Sequence, residues 1–197
     1  MPCHPRANDF RGKRIFFNGT MQMLYDLGQR LREMGSTGAY AANSYFFAGG
    51  GFANGAPPPN WKRDTADALG VSESAIIVNY GMIESLTTMG MCPHGHYHVP
   101  VTTIPFLLEP DAEEPLPRRG VQTGRYAFFD TLPETSWGGY VSSDLITIHW
   151  DEPCSCGRKG PHVDPAISKV SVRQDDKIGC AGTANALDDA SDFLIKA

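Results

Sequence analysis

The sequence predicts an α/β unit that passes into a β-rich subdomain. Three observations carry this reading. Apolar runs of strand length alternate with helical periods through residues 1–98, the runs of residues 99–172 are short and β-rich with few helical periods between them, and no internal repeat relates the two parts. A third segment, residues 173–197, is charged and glycine-flanked at its start and has the pattern of one short helix at 188–195.

Residues 14–17 form an apolar run that stops at Asn18 and Gly19, after which Met21, Leu24, Tyr25, Leu27 and Leu31 recur at helical spacing up to Gly35. Residues 44–48 read as a strand broken by the three glycines Gly49, Gly50 and Gly51. A second helix over residues 61–69, with Trp61, Thr65, Ala68 and Leu69 on one side, ends at Gly70. Residues 75–78 are continuously apolar, as in a parallel strand buried on both faces beneath helices. Beyond them, residues 99–108, 121–129 and 145–150 are strand-like and separated by Pro and Gly clusters, which predicts an antiparallel sheet or small barrel.

Hydrophobic residues make up 41% of the 197 and charged residues 20%, which excludes a disordered or fibrous chain. A net charge of −5 without a basic stripe argues against a nucleic-acid binder. No apolar run approaches the ~18 residues of a membrane span, and the start has no signal-peptide core, so the expected location is cytoplasmic. In that compartment the five cysteines, Cys3, Cys92, Cys154, Cys156 and Cys180, point to metal or thiol chemistry rather than disulfides.

Four constellations have chemical potential. Asn79, Tyr80, Gly81, Met82, Ile83 and Glu84 follow the buried strand, where ligands of open α/β sheets bind. An aromatic ring, a glycine and a carboxylate there suit stacking, close backbone approach and Mg²⁺, although the motif taken alone reads first as a strand exit with a solvated Glu. Asp144, preceded by Val141, Ser142 and Ser143, suits ribose hydroxyls or a turn cap. Cys92, His94, His96 and His98, with Cys154 and Cys156 far downstream, supply zinc-type donors. Cys92, His98, Cys154 and Cys156 are the expected ligands of one structural Zn²⁺, with His96 as the substitute for His98, against an exposed polar loop and buried thiols. Residues 173–183, which include Arg173, Asp175, Asp176, Lys177 and Cys180, suit a hinge, an anion-binding group or a thiol nucleophile, or a surface turn. Cys180 is expected to be more exposed and reactive than Cys154 or Cys156.

In this order the segments resemble the adenylate-forming superfamily of acyl ligases over about residues 45–183. Residues 44–51 resemble its strand-and-glycine segment of the acyl and adenine pocket, and Tyr80-Gly81-Met82-Ile83-Glu84 is similar to its Tyr-Gly-x-Thr-Glu motif. Ser143-Asp144 resembles its ribose-binding Asp, and residues 173–177 its Arg-x-Asp-Asp hinge. Cys154-Ser155-Cys156-Gly157-Arg158 looks like the phenylacetate–coenzyme A ligase branch and the acyl-protein synthetases of bacterial bioluminescence. The resemblance implies the carboxyl part of the large domain of such an enzyme. It also implies ATP/AMP and Mg²⁺ as cofactors, Gly49, Gly50, Tyr80, Gly81, Asp144 and Arg173 in nucleotide binding, and Glu84, Lys177 and Cys180 in catalysis.

The implied partners are a carboxylic-acid substrate, coenzyme A or a protein thiol as acceptor, and a separate N-terminal half. Ile83 stands where the family has a hydroxyl residue, Ser142-Ser143 stand for its Thr-Gly, and nothing in residues 1–50 matches its phosphate loop. The alternative is a non-catalytic, zinc-stabilised nucleotide- or partner-binding module. Tyr80, Glu84, Asp144 and Arg173 are expected to converge on one cleft.

Overall fold

The computed structural model describes residues 10–52, 56–110, 114–135 and 138–170. Arg173, Asp175, Asp176, Lys177, Cys180 and the helix expected at 188–195 lie outside them. No helix among the described residues is long and apolar enough to cross a membrane.

The first sheet has the order β1-β2-β3-β4, with β1 (Phe16–Thr20), β2 (Tyr45–Gly49) and β3 (Ile76–Tyr80) parallel and β4 (Met89–Gly90) antiparallel to β3. α1 (Met21–Glu33) begins directly at β1, because Thr20 turns its hydroxyl to accept the Met23 N–H at 3.1 Å, satisfying one of the donors a helix start leaves open. Its buried stripe, Leu24, Gly28 and Leu31, meets α2 (Trp61–Leu69). The crossing is close: a Cβ on Gly28 would stand 3.4 Å from the Thr65 backbone.

Both helices pack on the side of Phe46, Ala48 and Ile76. The apolar run at 75–78 predicts cover on both faces. Among the described residues the opposite side has no helix, and Phe16 and Tyr45 stand exposed there while Ile77 is half-buried.

The second sheet runs β5 (Tyr97–His98), β9 (His162–Val163), β8 (Gly139–His149), β7 (Val121–Asp130), β6 (Thr103–Leu108), all antiparallel, with β10 (Ser168–Lys169) on β8. The path does not close, so this is a sheet rather than a barrel. Pro105 is tolerated because β6 is its edge. β8 begins six residues before the run expected at 145–150, because Ser142 and Asp144 continue the inward alternation of Ile146 and Ile148 with polar side chains.

Val78 of β3 and Met89 of β4 share one core with Tyr97, Tyr126, Phe128, Ile146 and Ile148 of the second sheet. The carboxyl edge of the parallel sheet is therefore capped by the antiparallel one. The loop after β3 is tied across this junction by Asp130, at the end of β7 and only 1% exposed. One of its oxygens accepts the Ser85 hydroxyl at 2.9 Å and the N–H groups of Leu86 and Thr87 at 2.8 and 3.2 Å; the other accepts Leu132 N–H at 3.0 Å. Burial would raise the pKa of this carboxyl, but the four donors outweigh it and hold the value below the usual carboxylate range.

Asp130→Ala is expected to lower unfolding free energy by about 2–4 kcal/mol, since bonds to a charged acceptor are worth about 1.5–3 each and the donors left behind are partly buried. Urea denaturation of wild type and variant checks it. A carboxyl with a depressed folded pKa contributes fully above its unfolded value and loses that contribution as pH falls through the folded one, so the difference should shrink below about pH 4.

Candidate functional site

Tyr80 and Asp144, 64 residues apart, meet at the capped edge: the Tyr80 hydroxyl donates to Asp144 Oδ2 at 2.5 Å, a charge-assisted bond. An irregularity in β8 aims the carboxylate. From Arg125↔Leu145 to Ala127↔Val141 the ladder uses four steps of β8 against two of β7, which leaves Ser142, Ser143 and Asp144 as a bulge. The bulge is pinned from three sides. The Ser142 hydroxyl donates to Tyr126 O at 2.8 Å and accepts Asp144 N–H at 3.1 Å, and Arg125 Nε donates to Ser142 O at 2.7 Å.

Asp144 is 6% exposed, and its second oxygen is ion-paired with Lys169, its register partner on β10. Lys169 carries no sequence signal, being a single lysine in a two-residue strand. Glu84 is exposed, and its charge and that of Asp144 both reach the Tyr140 hydroxyl. Burial first, then Glu84 and Asp144, raise the Tyr140 pKa, while Arg125 opposes them. Tyr80, Glu84 and Asp144 thus share one neighbourhood, and Arg173 is outside the described residues. Ile83 is fully exposed.

Gly49 ends β2 beside Asn79 of β3, whose side-chain Oδ1 would lie 2.8 Å from a Cβ at Gly49, so a larger residue there would have to turn the Asn79 amide aside. Gly50 follows at a φ of 65°. Gly81 is the more tightly placed, with Thr88 Cγ2 2.7 Å and Thr88 Cβ 3.3 Å from its Cβ position. A shallow depression opens between Tyr80, Gly81, Met82, Thr87 and Tyr126.

A second cluster lies at the β5–β9 end of the sheet. Cys92, His98, Cys154 and Cys156 each offer one ligand atom, and all four atoms lie within 4.8 Å of one another. Cys92 Sγ is 3.9 Å from Cys154 Sγ, and Cys156 Sγ is 3.3 Å from His98 Nε2. A tetrahedron with bonds of about 2.0–2.3 Å has edges near 3.3–3.8 Å, so the donor set fits one zinc-type ion.

Two similar turns build it. Cys92 is followed by a turn in which Gly95 N–H reaches Cys92 O at 3.0 Å, and Cys154 by one in which Gly157 N–H reaches Cys154 O at 2.9 Å. Both glycines adopt the left-handed backbone, at φ 82° and 84°. Burial alone would raise the Cys92 pKa, but backbone N–H groups of His96 and His94 and the two neighbouring thiols bring it below the ordinary thiol value. Cys154, with burial dominant, is raised. His98 is lowered, first by burial and then by Arg158, His162 and His96, which favours the neutral ring that ligates.

His96, named as the substitute ligand, lies outside this set and groups instead with Cys154 and His162. His149, His162 and Asp164 complete the neighbourhood, and sequence reasoning passed over them. The available signal was that every histidine except His4 lies between positions 94 and 162.

No protein-family model and no curated protein matches the chain. Among solved structures it is similar to apo MatB from Rhodopseudomonas palustris, at 16% identity over 79% of this chain and 31% of that one, TM-score 0.48. It is also similar to McyG A-PCP complexed with phenylalanyl-adenylate, at 14% identity, 79% and 26% coverage, TM-score 0.48. A third is the luciferase-like enzyme from the nonluminescent Zophobas morio mealworm, at 13% identity, 78% and 37% coverage, TM-score 0.47. The chain therefore spans between 26% and 37% of the length of these structures.

Burial first, then the bond to Asp144 and its charge, push the Tyr80 hydroxyl far above the ordinary tyrosine range, with Ser142 opposing. Tyr80→Phe is therefore expected to leave the ultraviolet phenolate titration below about pH 11 unchanged, and to destabilise the fold by about 1–3 kcal/mol at neutral pH. A raised folded pKa contributes fully below the unfolded value near 10 and is lost at higher pH, so the stability difference should narrow in strong alkali.

Proposed function

We propose that the chain carries the nucleotide-binding part of an acyl-adenylate-forming ligase or acyl-protein synthetase, which activates a carboxylic acid with ATP and passes the acyl group to a thiol. The observation that carries this reading is the meeting of Tyr80 and Asp144 beside the glycine-lined carboxyl edge of a parallel sheet, where such sheets bind ligands, with the charge of Glu84 reaching the same neighbourhood. In it, the Tyr80 ring offers its face to adenine, Asp144 accepts from ribose hydroxyls, and Gly49, Gly50 and Gly81 admit the nucleotide backbone closely.

Glu84, solvated and free of a basic partner among the described residues, is the candidate Mg²⁺ holder beside the phosphates. Arg173 is the second ribose contact, Asp175 or Asp176 the pivot, and Cys180, with Lys177 nearby, the thiol acceptor in the acyl-protein synthetase form. In the other form coenzyme A takes that role. Bound ATP supplies the pyrophosphate leaving group. Asp144 can keep Tyr80 and Lys169 and still accept, since a carboxylate has about four lone-pair sites.

A second reading, a non-catalytic zinc-stabilised nucleotide- or partner-binding module, is favoured by a specific observation: both oxygens of Asp144 already have partners. In either reading Cys92, His98, Cys154 and Cys156 hold a structural Zn²⁺ that staples the loop before β5 to the loop after β8. The tests separate these. Calorimetry is expected to show AMP binding that falls at least tenfold in Asp144→Ala, while pyrophosphate exchange with fatty and aromatic acids stays at background, because the chain has no phosphate-loop sequence and losing even one preorganised donor costs about 10²–10³ in rate. Robust exchange would instead mark the chain as a complete catalyst, and no AMP binding would defeat both nucleotide readings.

Elemental analysis of protein from zinc-replete medium is expected to find tightly held zinc. Cys92→Ser should lose that ion, and its melting temperature should fall by several degrees or more.

A further inference from the structure

We propose that His96, His162 and the thiolate of Cys154 hold a second zinc-type ion, joined through Cys154 to the ion of the four-ligand site. The inference rests on reading that site as a zinc site.

Four observations lead to it. His96, Cys154 and His162 each offer a ligand atom, and the three atoms lie within 4.8 Å of one another, with His96 Nδ1 3.5 Å from Cys154 Sγ. That spacing matches the ligand–ligand edge of a zinc tetrahedron, about 3.3–3.8 Å. His162 is 3% exposed, and its Nδ1 is buried with no hydrogen-bond partner. A buried polar atom left so is costly, and an ion that took its lone pair would remove the cost.

The rings are also held from behind. His96 Nε2 faces Asp164 Oδ1 at 3.7 Å, which sets Nδ1 as the ligating nitrogen in the manner of a carboxylate behind a metal-bound histidine. His149, anchored to the same Asp164 oxygen at 3.0 Å, stacks on the His162 ring at 4.6 Å and 12°. Charge agrees as well: three thiolates and one neutral imidazole leave the first divalent ion with a negative charge in excess, and a bridging thiolate shares it with a second cation. Three protein donors leave the second ion an open position, and His96, with 26% of its side chain exposed, lies on the solvent side.

The rival arrangement has a single ion, with the His96 and His162 rings merely donating N–H to the Cys154 sulfur. Zinc stoichiometry of the full chain, equilibrated in chelator-buffered zinc over a range of free concentrations, decides between them. The expected result is two ions per chain, the second released at a free zinc at least tenfold higher than the first. His162→Ala and His96→Ala should each leave one ion, and His94→Ala, on the exposed tip of the same turn, should leave two. If His162→Ala does not fold by circular dichroism, His96→Ala decides.

With cobalt in place of zinc, the paramagnetic signal per ion should fall on adding the second equivalent, as a thiolate bridge couples the spins, and should not fall in His96→Ala. One ion at every concentration overturns the proposal and leaves the four-ligand site standing. No ion overturns both, and two ions unaffected by either histidine substitution overturns the proposal as surface binding.

Discussion

The loop that carries the candidate site away from β3 depends on the carboxylate of Asp130. A parallel sheet ends in loops whose backbone donors face outward, and here the loop after β3 must also pass beneath a second sheet. Asp130 supplies, from the end of β7, the acceptors that this loop needs: Ser85, Leu86 and Thr87 all point at one oxygen. With them fixed, Gly81 and Met82 stay against Thr88 and the core, and Tyr80 is held where its ring packs 6.0 Å from both Tyr97 and Tyr126. A buried charge is costly unless its lone pairs are filled, and the four donors keep this one ionised at neutral pH.

The Tyr80–Asp144 bond is the second consequence of capping one sheet with another. Close apposition dries the carboxylate, and a dry carboxylate recruits partners, here Tyr80 and Lys169. The same environment that would strengthen the proposed ribose contact would also raise the cost of exchanging partners to make it. The β8 bulge is the device that lets a regular ladder carry such a group, since the Ser142 hydroxyl and the Arg125 guanidinium take over the backbone groups that the irregularity frees.

At the other end of the sheet the two cysteine turns are alike because the constraint on them is alike. A sulfur must be offered to a common point while the backbone returns within four residues, and a glycine in the left-handed conformation closes each turn. Three thiols and several imidazoles are gathered there within reach of one another. The cluster therefore offers a metal ion a donor set that none of its residues offers alone.

Where the determining interactions are local, the sequence sufficed. The α2 boundaries, the helix that follows the first strand, the parallel strands and the change to a β-rich second part follow from apolar spacing and from Gly and Pro positions, and the cysteine and histidine types already state their chemistry. The tertiary structure alone decided the rest. Strands of two residues, such as β5, β9 and β10, exist only because a ladder partner is present. The choice of His98 over His96, the pairing of Lys169 with Asp144 and the burial of Asp130 and His162 join residues far apart in the chain. No local pattern encodes such contacts, because they are set by where two sheets meet.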